Sequence, residues 1–514
     1  MVAAAIESAD GEIQGCGGQI DDQRWLQGLV DAAFTGGQLL VGLLQDEHPL
    51  ARVGALIGLT AILDGWAEDW TRRLLKDWPV TWHSELWGAL DDPAPEVRAA
   101  ALRALTRLPA DPGEAVWLEG SLYDPSTEVR EAAVGASARH LGRDVEGRLL
   151  ELATARDDDS AARAAAVQLV ELDSPLTAQA LRARLQAGAA PVETLSLIVR
   201  AGLPEMPGAD LAALLVEASP EPVRRAAAKA LVEWVDEASK PALVRALASG
   251  DHAAIYAAIA LGRSPAAGAE GALIQTLMAP APALKRRSER AALMLRDAAA
   301  RALGAAATPL AREALLESPF RLPDARGNGP NAAALCGALG MMEHPDAAPR
   351  IQQLLGGNLY TRRIAGVALG QCGEPYSASQ LRRWVRDESD PRLRAHAALG
   401  LLLLRPDRVD VDAMALLRHP PPPVVTTYEG LALSLGSGLR TLGRRVADRP
   451  ASADALAACL AWARSHREAI DRITRCYRGR GDCISYNTAY AFWIRDLFEE
   501  AEALLSAAVG GAGA

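Results

Sequence analysis

A short motif returns along this chain at intervals of about 30 residues, and this period limits the available folds more than any other feature. The segment DDPAPEVR at residues 91–98 returns 32 positions later as YDPSTEVR at residues 123–130. Weaker copies begin near residues 158, 219 and 389. A second recurring element, the tripeptide Ala-Leu-Gly, ends at Gly262, Gly304, Gly340, Gly370 and Gly400. A period of this length predicts one supersecondary unit that is stacked many times.

Each part of the repeat has a physical reason to form a helix. Asp before Pro suits a helix start, because the carboxylate accepts orphan N–H groups and proline lacks the N–H that would go unpaired. Val97, Ala101 and Leu105 then form an apolar stripe at helical spacing. We expect the glycine of each Ala-Leu-Gly to end its helix as a left-handed C-cap. Since only stacked helix pairs can bury such stripes, the sequence predicts an all-α fold, an α-solenoid (superhelix).

The repeats resemble HEAT repeats. Their Ala-Leu-Gly form is similar to the short HEAT-like repeats of bacterial proteins, including the phycobilin lyase class. The resemblance covers residues 40–405 and implies an armadillo-like helical architecture. It also implies that Asp and Arg side chains form a ladder between adjacent repeats. By position, the ladder comprises Asp92, Arg98, Asp124, Arg130, Arg163 and Arg224.

The repeat pattern predicts four regions along the chain. They are an N-terminal cap region at 1–40, the HEAT-like array at 41–405, a Pro-rich connector at 406–425, and a C-terminal helical cap or docking segment at 426–514. The connector contains four consecutive prolines, which favour an extended backbone.

Helical patterning resumes in the C-terminal region. We expect helices over about residues 428–446, 452–476 and 487–508, with Ser452 as an N-cap. Cys476 and Cys483 flank a glycine-containing loop between the last two helices. Their spacing is not a common zinc pattern, and whether they pair stays open at this point.

Charge is unevenly distributed. Residues 1–100 hold 16 Asp/Glu and 6 Lys/Arg (−10), whereas residues 261–400 hold 18 Lys/Arg and 12 Asp/Glu (+6). A nucleic-acid-binding chain would show a larger and more continuous basic excess, so nucleic acid is a less favoured partner. The sequence shows neither a long uncharged apolar run nor a basic leader followed by one, so we expect no membrane insertion and a cytoplasmic location.

Partner contacts in a solenoid are expected where the repeat is interrupted or decorated. The candidates are Trp66, Trp70, Arg286, Arg287, Phe320, Arg321, Arg326, Arg362, Arg363 and Arg383. The two tryptophans share a helix face and form either an aromatic binding groove or a heavier core near the N-terminal cap. The paired arginines at 286–287 follow a Pro-Ala stretch and form either an acidic-partner contact or a solvated helix face.

The other candidates fall in two places. Residues 320–326 lie in a stretch rich in Pro, Gly and Asn, which indicates a loop. Arg362, Arg363 and Arg383 belong to two Arg-rich repeats, and arginine forks recognise carboxylate and phosphate groups. Acidic residues at 387, 388 and 390 lie close in sequence, so a structural ion-pair network is an equal alternative.

Common catalytic motifs are absent from the sequence. The chain has no Walker A loop, no HExxH zinc motif and no GxSxG nucleophile elbow. We therefore expect no catalytic residues, no cofactor and no metal. The favoured function is a non-catalytic bacterial adaptor or scaffold that binds one or more proteins. The alternatives are an accessory enzyme of the phycobilin-lyase-like class and a nucleic-acid-binding HEAT-like protein.

Overall fold

The computed structural model confirms the all-α solenoid. It describes residues 36–64, 80–108, 115–155, 159–203, 208–266, 268–279, 286–319, 331–356, 358–408, 410–423, 429–448, 451–478 and 486–512. Within these ranges the regular structure is helical and includes no β-strand. The chain divides into two compact units, Met1–Ala190 (unit 1) and Pro191–Ala514 (unit 2), with the boundary inside the predicted array.

Unit 1 is a stack of helix pairs. Its helices are α1 Pro49–Asp64, α2 Val80–Gly88, α3 Pro95–Leu105, α4 Ala115–Ser121, α5 Thr127–Leu141, α6 Glu146–Ala153, α7 Ser160–Glu171 and α8 Thr177–Gln186. The odd-numbered helices pack each against the next and form layer A of unit 1. The even-numbered helices pack beside them as layer B.

Unit 2 continues the same alternation and ends in three longer helices. The alternating helices are α9 Pro191–Ala201, α10 Gly208–Ala212, α11 Glu221–Glu233, α12 Lys240–Leu247, α13 His252–Arg263, α14 Ala269–Met278, α15 Arg286–Ala306, α16 Pro309–Glu317, α17 Ala332–Met341, α18 Ala347–Leu354, α19 Leu359–Cys372, α20 Ser377–Asp387, α21 Pro391–Leu404 and α22 Val411–Arg418. Here the odd-numbered helices form layer A and the even-numbered ones layer B. The final three are α23 Glu429–Arg445, α24 Ala453–Arg478 and α25 Tyr486–Ala512.

Helix starts follow the predicted chemistry with one change of register. At α21, Asp390 is the N-cap, Pro391 is the first helical residue, and the Asp390 carboxylate accepts the Leu393 N–H. At α3 the N-cap is instead Ala94. The Ala94 N–H donates to the carboxylate of Asp92, two residues earlier in the chain, at 2.8 Å. The second proline of the motif opens α3, because the first lies in the turn before the helix.

The prediction that the Ala-Leu-Gly glycines are left-handed C-caps is wrong. None of the five has a positive φ, and helices end at other glycines such as Gly142 and Gly373. A Cβ built on Gly304 would lie 2.5–2.9 Å from backbone atoms of Ala338 in the next layer A helix. Gly370 approaches the backbone of the following helix in the same way. These glycines are needed because only hydrogen lets two backbones pack this closely.

The last three helices cover layer A of unit 2 on the side away from layer B. Helix α23 packs on α17, α19 and α21, whereas α25 packs on α11 and α13. Helix α24 packs on α25 and on layer B helix α22. Unit 2 is therefore three layers deep, with layer A in the middle.

Two buried histidines join α21 to α24. The rings of His396 and His466 lie on either side of the Trp462 ring, at centroid distances of 5.7 and 6.0 Å. Each Nδ1 faces the carbonyl four residues earlier in its own helix, at 2.6 and 3.1 Å. Burial lowers the pKa of both to about 4, so both rings are neutral near pH 7.

Candidate functional site

A ladder of arginine–aspartate pairs runs between consecutive repeats within each unit. Arg98 on α3 donates from Nε and Nη2 to the two carboxylate oxygens of Asp124, each at 2.9 Å. Its Nη1 donates to the Asp92 carbonyl at 2.7 Å. One guanidinium thus ties its own preceding turn to the turn of the next repeat, with the bidentate geometry that arginine favours.

The same arrangement recurs along the chain. The pairs are Arg52–Asp92, Arg98–Asp124 and Arg130–Asp159 in unit 1, and Arg224–Asp251 and Arg363–Asp390 in unit 2. Arg163 differs, because its described contact is Nε at 3.5 Å from the Asp159 carbonyl. The structure thus places the other predicted ladder residues in inter-repeat ion pairs and adds partners that the motif alone did not reveal.

The ladder environment lowers the pKa of four of its carboxylates, those of Asp124, Asp159, Asp251 and Asp390. For Asp390, burial raises the pKa, but hydrogen bonds from Arg363 and the Leu393 N–H outweigh it and leave the pKa below its usual value. Asp124 shows the same balance, with Arg98 and the Ser126 N–H as donors. These pairs are mostly shielded from water and serve as structural ties.

Arg362, which precedes the ladder residue Arg363, departs from the repeat. Buried valines precede the ladder arginines 98, 130 and 224. In their place, Arg362 leaves 35% of its side chain exposed and donates to Glu388 at 3.0 Å. The ladder residue Arg52 also lacks a preceding buried valine, and Thr361 fills the buried position beside Arg362. The step at Arg363 therefore differs from its neighbours by a second inter-repeat ion pair, Arg362–Glu388.

A groove opens beside this pair, between the end of α18 and α20, and we call it the arginine groove. It encloses about 430 Å³ and is lined by Leu355, Arg362, Gln380, Arg383, Trp384, Asp387 and Glu388. Arg383 is exposed and donates to Gln380 one turn earlier on the same helix. Trp384 forms the floor, since it is only 4% exposed. The groove thus brings Arg362 and Arg383 together and offers both charge signs around an aromatic base.

The remaining candidate contacts lie outside what the structure describes. This holds for Trp66, Trp70, Phe320, Arg321 and Arg326. Arg286 and Arg287 open α15, but their side chains belong to the part of the chain without description. The side chains at 476 and 483 fall in the same category, so the question of a disulfide stays open.

Contacts between α23 and layer A are the main feature that sequence reasoning missed. Gln371 of α19 donates to the hydroxyls of Ser437 and Thr441 at 3.2 Å. A Cβ on Gly438 would collide with Val367. The available signal was the composition of α17 and of residues 397–404 of α21, which are apolar on every face and therefore need cover on both sides.

Paired helices in two layers, tied by arginine–aspartate pairs, define this chain as an α-solenoid protein. Residues 325–402 match the family described as HEAT repeats, and this range includes the arginine groove. Residues 325–402 thus consist of HEAT repeats, in agreement with the resemblance seen in the sequence. No curated protein matches the chain.

Several solved structures have a related fold. Kap121p shares 14% identity over 88% of this chain and 54% of its own, with a TM-score of 0.40. A Kap121p mutant shares 13% identity over 96% of this chain and 55% of its own, with a TM-score of 0.42. Importin beta shares 12% identity over 90% of this chain and 84% of its own, with a TM-score of 0.40. This chain spans about half the length of the Kap121p chain.

Proposed function

We propose that this chain is a non-catalytic adaptor that binds a protein partner, and that the arginine groove is one of its contacts. The observation that carries the proposal is the open groove beside the Arg362–Glu388 pair, which has the exposed Arg383 on its wall and Trp384 at its floor. Arginine and tryptophan are the residues most enriched where proteins bind each other.

The architecture supports this choice of surface. In unit 2 the side of layer A that faces away from layer B is filled by the chain's own α23 and α25. The edge that carries the ladder turns stays exposed, and the arginine groove lies on it. No helix in the described part of the chain is long and apolar enough to cross a membrane. The cytoplasmic location and bacterial origin expected from the sequence stay part of the proposal.

The test is a comparative capture experiment with the full chain. Tagged wild-type protein, Arg383→Glu and the control Arg408→Glu would be cross-linked in source cells, and the recovered molecules identified by mass spectrometry. Arg408 is 78% exposed and outside the groove, so the control makes the same charge change elsewhere in unit 2. We expect a protein that wild type and control recover equally and that Arg383→Glu recovers about tenfold less, which corresponds to roughly 1.4 kcal/mol.

Two results would overturn the adaptor proposal. One is equal recovery by all three proteins, which would remove the groove from the contact. The other is recovery of nucleic acid or a tetrapyrrole without a protein partner, which would favour one of the alternative functions.

A further inference from the structure

One side chain of α23 ties together the ends of two consecutive layer A helices. Arg445 donates from Nη1 to the Gly370 carbonyl at 3.0 Å and to the Leu403 carbonyl at 2.9 Å. Its Nη2 donates to the Gln371 carbonyl. The first and third of these carbonyls belong to the end of α19, and the second to the end of α21. Since the last carbonyls of a helix lack intrahelical partners and carry partial negative charge, a guanidinium is well suited to bridge them.

A third repeat is held at the same point. Glu343, in the turn after α17, accepts the Thr441 hydroxyl at 2.8 Å. Its carboxylate also lies 3.6 Å from Arg444 and 4.0 Å from Arg445. The end of α23 therefore carries a polar clamp that spans the ends of three consecutive layer A helices.

One turn before these ends, the backbones of Gly370 and Gly400 pack directly against each other. A cavity of about 360 Å³ lies beside the clamp and is lined by Glu343, Pro345, Cys372, Gly373, Leu403, Leu404, Pro406, Arg445 and Asp448. Beyond the Gly370–Gly400 contact, the hydrogen bonds from Arg445 hold the last turns of α19 and α21 together beside this cavity.

The opposite ends of the same two repeats form the arginine groove. Arg362 lies in the first turn of α19, and Glu388 lies in the turn that leads into α21. Between the two ends, α19 and α21 touch at glycines: a Cβ on Gly366 would lie 3.0 Å from the Ala397 nitrogen. Each helix has 14 residues, which corresponds to a rod of about 21 Å. A second contact, Gly370 with Gly400, lies one turn closer to the clamp. Release of the clamped ends lets the two rods tilt about this line of glycine contacts, so a change at Arg445 reaches the groove.

We infer that Arg445 is a positioning residue for the arginine groove: by bridging the ends of α19 and α21, it fixes the separation of the groove walls at their other ends. The use of this groove by a partner rests on the proposed function. The mechanical coupling does not, because it concerns distances within one chain.

The experiment measures the groove directly in the full chain without any partner. Spin labels would be introduced as non-natural residues at Gln353 of α18 and Gln380 of α20, and their separation measured by electron paramagnetic resonance. We expect Arg445→Ala to shift the distance by about 1–2 Å or to broaden its distribution, as for ordinary helix movements at packed interfaces. Arg445→Lys keeps the charge but presents a single ammonium, so it should restore the wild-type distribution only in part.

The matched control is Arg464→Ala. Arg464 pairs with Glu502 at 3.0 Å and so joins α24 to α25 without a described contact to α19 or α21. It should leave the spin-label distance unchanged. Identical distributions in wild type, Arg445→Ala and Arg445→Lys would overturn the inference, as would an equal change in the control. If Arg445→Ala fails to fold, comparison of Arg445→Lys with wild type still decides the question. A shifted distance together with no partner in the capture experiment would contradict only the adaptor function.

Discussion

Units 1 and 2 contain the same repeat but treat layer A in opposite ways. In unit 1, layer A keeps a polar exposed side, with Glu128, Glu131 and Arg139 exposed on α5. In unit 2, no residue of 253–262, 332–341 or 395–404 is exposed, because the C-terminal helices lie over them. The repeat motif thus specifies the stacking, whereas the composition of the remaining helix face specifies whether a further layer packs on it.

The difference extends to what holds neighbouring repeats together. Unit 1 relies on the ladder and on apolar packing between adjacent pairs. Unit 2 adds helices that each contact several repeats, together with clamps such as Arg445 and the pair formed by Arg263 and Asp496. We expect unit 2 to respond as one cooperative body and unit 1 to respond repeat by repeat.

The largest expected difference between the two units is in how their stability responds to acid. The pKa values of His396 and His466 fall from 6.5 to about 4 on folding, so the folded chain binds protons less readily than the unfolded chain. The free energy of unfolding is therefore complete above pH 6.5 and decreases as the pH falls towards 4. The expected loss is about 3 kcal/mol per histidine. Hydrogen exchange at pH 7 and pH 4.5, corrected for intrinsic rates, would show lost protection in unit 2.

Unit 1 should stay protected over the same range. Its ladder aspartates Asp124 and Asp159 have pKa values below 3.8, so their contribution is lost only at lower pH. The double variant His396→Gln/His466→Gln should weaken the pH dependence of unit 2 between 6.5 and 4. Equal loss of protection in both units at pH 4.5 would contradict this account.

Glycine-to-alanine changes should have opposite signs in the two units. In unit 2, a Cβ at Gly370 would lie 2.5 Å from the Gly400 Cα, so Gly370→Ala forces α19 and α21 apart at a cost of about 2–3 kcal/mol. In unit 1, a Cβ at Gly135 meets only Thr106, at 3.7 Å. Gly135→Ala should therefore stabilise α5 by up to about 1 kcal/mol through helix propensity. Urea unfolding curves of the two variants measure both effects, and a destabilised Gly135→Ala would refute the contrast.

Loss of one ladder arginine should give the smallest effect and the sharpest local contrast. Arg98→Met removes charged hydrogen bonds to Asp124 and should cost about 1–2 kcal/mol. The corresponding change Arg363→Met leaves α19 and α21 still bridged by Arg445. Hydrogen exchange should therefore increase across the α3–α5 repeats in the first variant and stay confined to the α21 start in the second. If the increase in hydrogen exchange extended over as many helices in Arg363→Met as in Arg98→Met, the C-terminal helices would add no coupling between repeats.

Much of the repeat architecture was predictable because it depends on local chemistry. The period, the Asp-Pro helix starts and the apolar stripe through Val97 each report on one helix and its immediate neighbour. The three C-terminal helices also begin and end close to the expected residues, and the Ser452 hydroxyl accepts the Ala455 N–H as an N-cap does.

The role of the Ala-Leu-Gly glycines was not predictable from one repeat. A left-handed cap and a close backbone approach both require glycine, and only the position of the next helix distinguishes them. The sequence named Arg362 and Arg383 as candidate contacts but not the groove that they both line, and their contact with a partner stays a prediction. Its partner Glu388 follows from how α19 and α21 pack, which is a long-range property.

The position of the C-terminal helices in the chain has a consequence for synthesis. Helix α21 ends at Leu404, but α25, which completes the cover, ends 108 residues later at Ala512. At translation rates of about 5–20 residues per second, this leaves roughly 5–20 seconds during which the apolar side of layer A lacks its cover. A nascent chain in this state exposes a broad apolar surface, and such surfaces favour aggregation until the covering helices have packed.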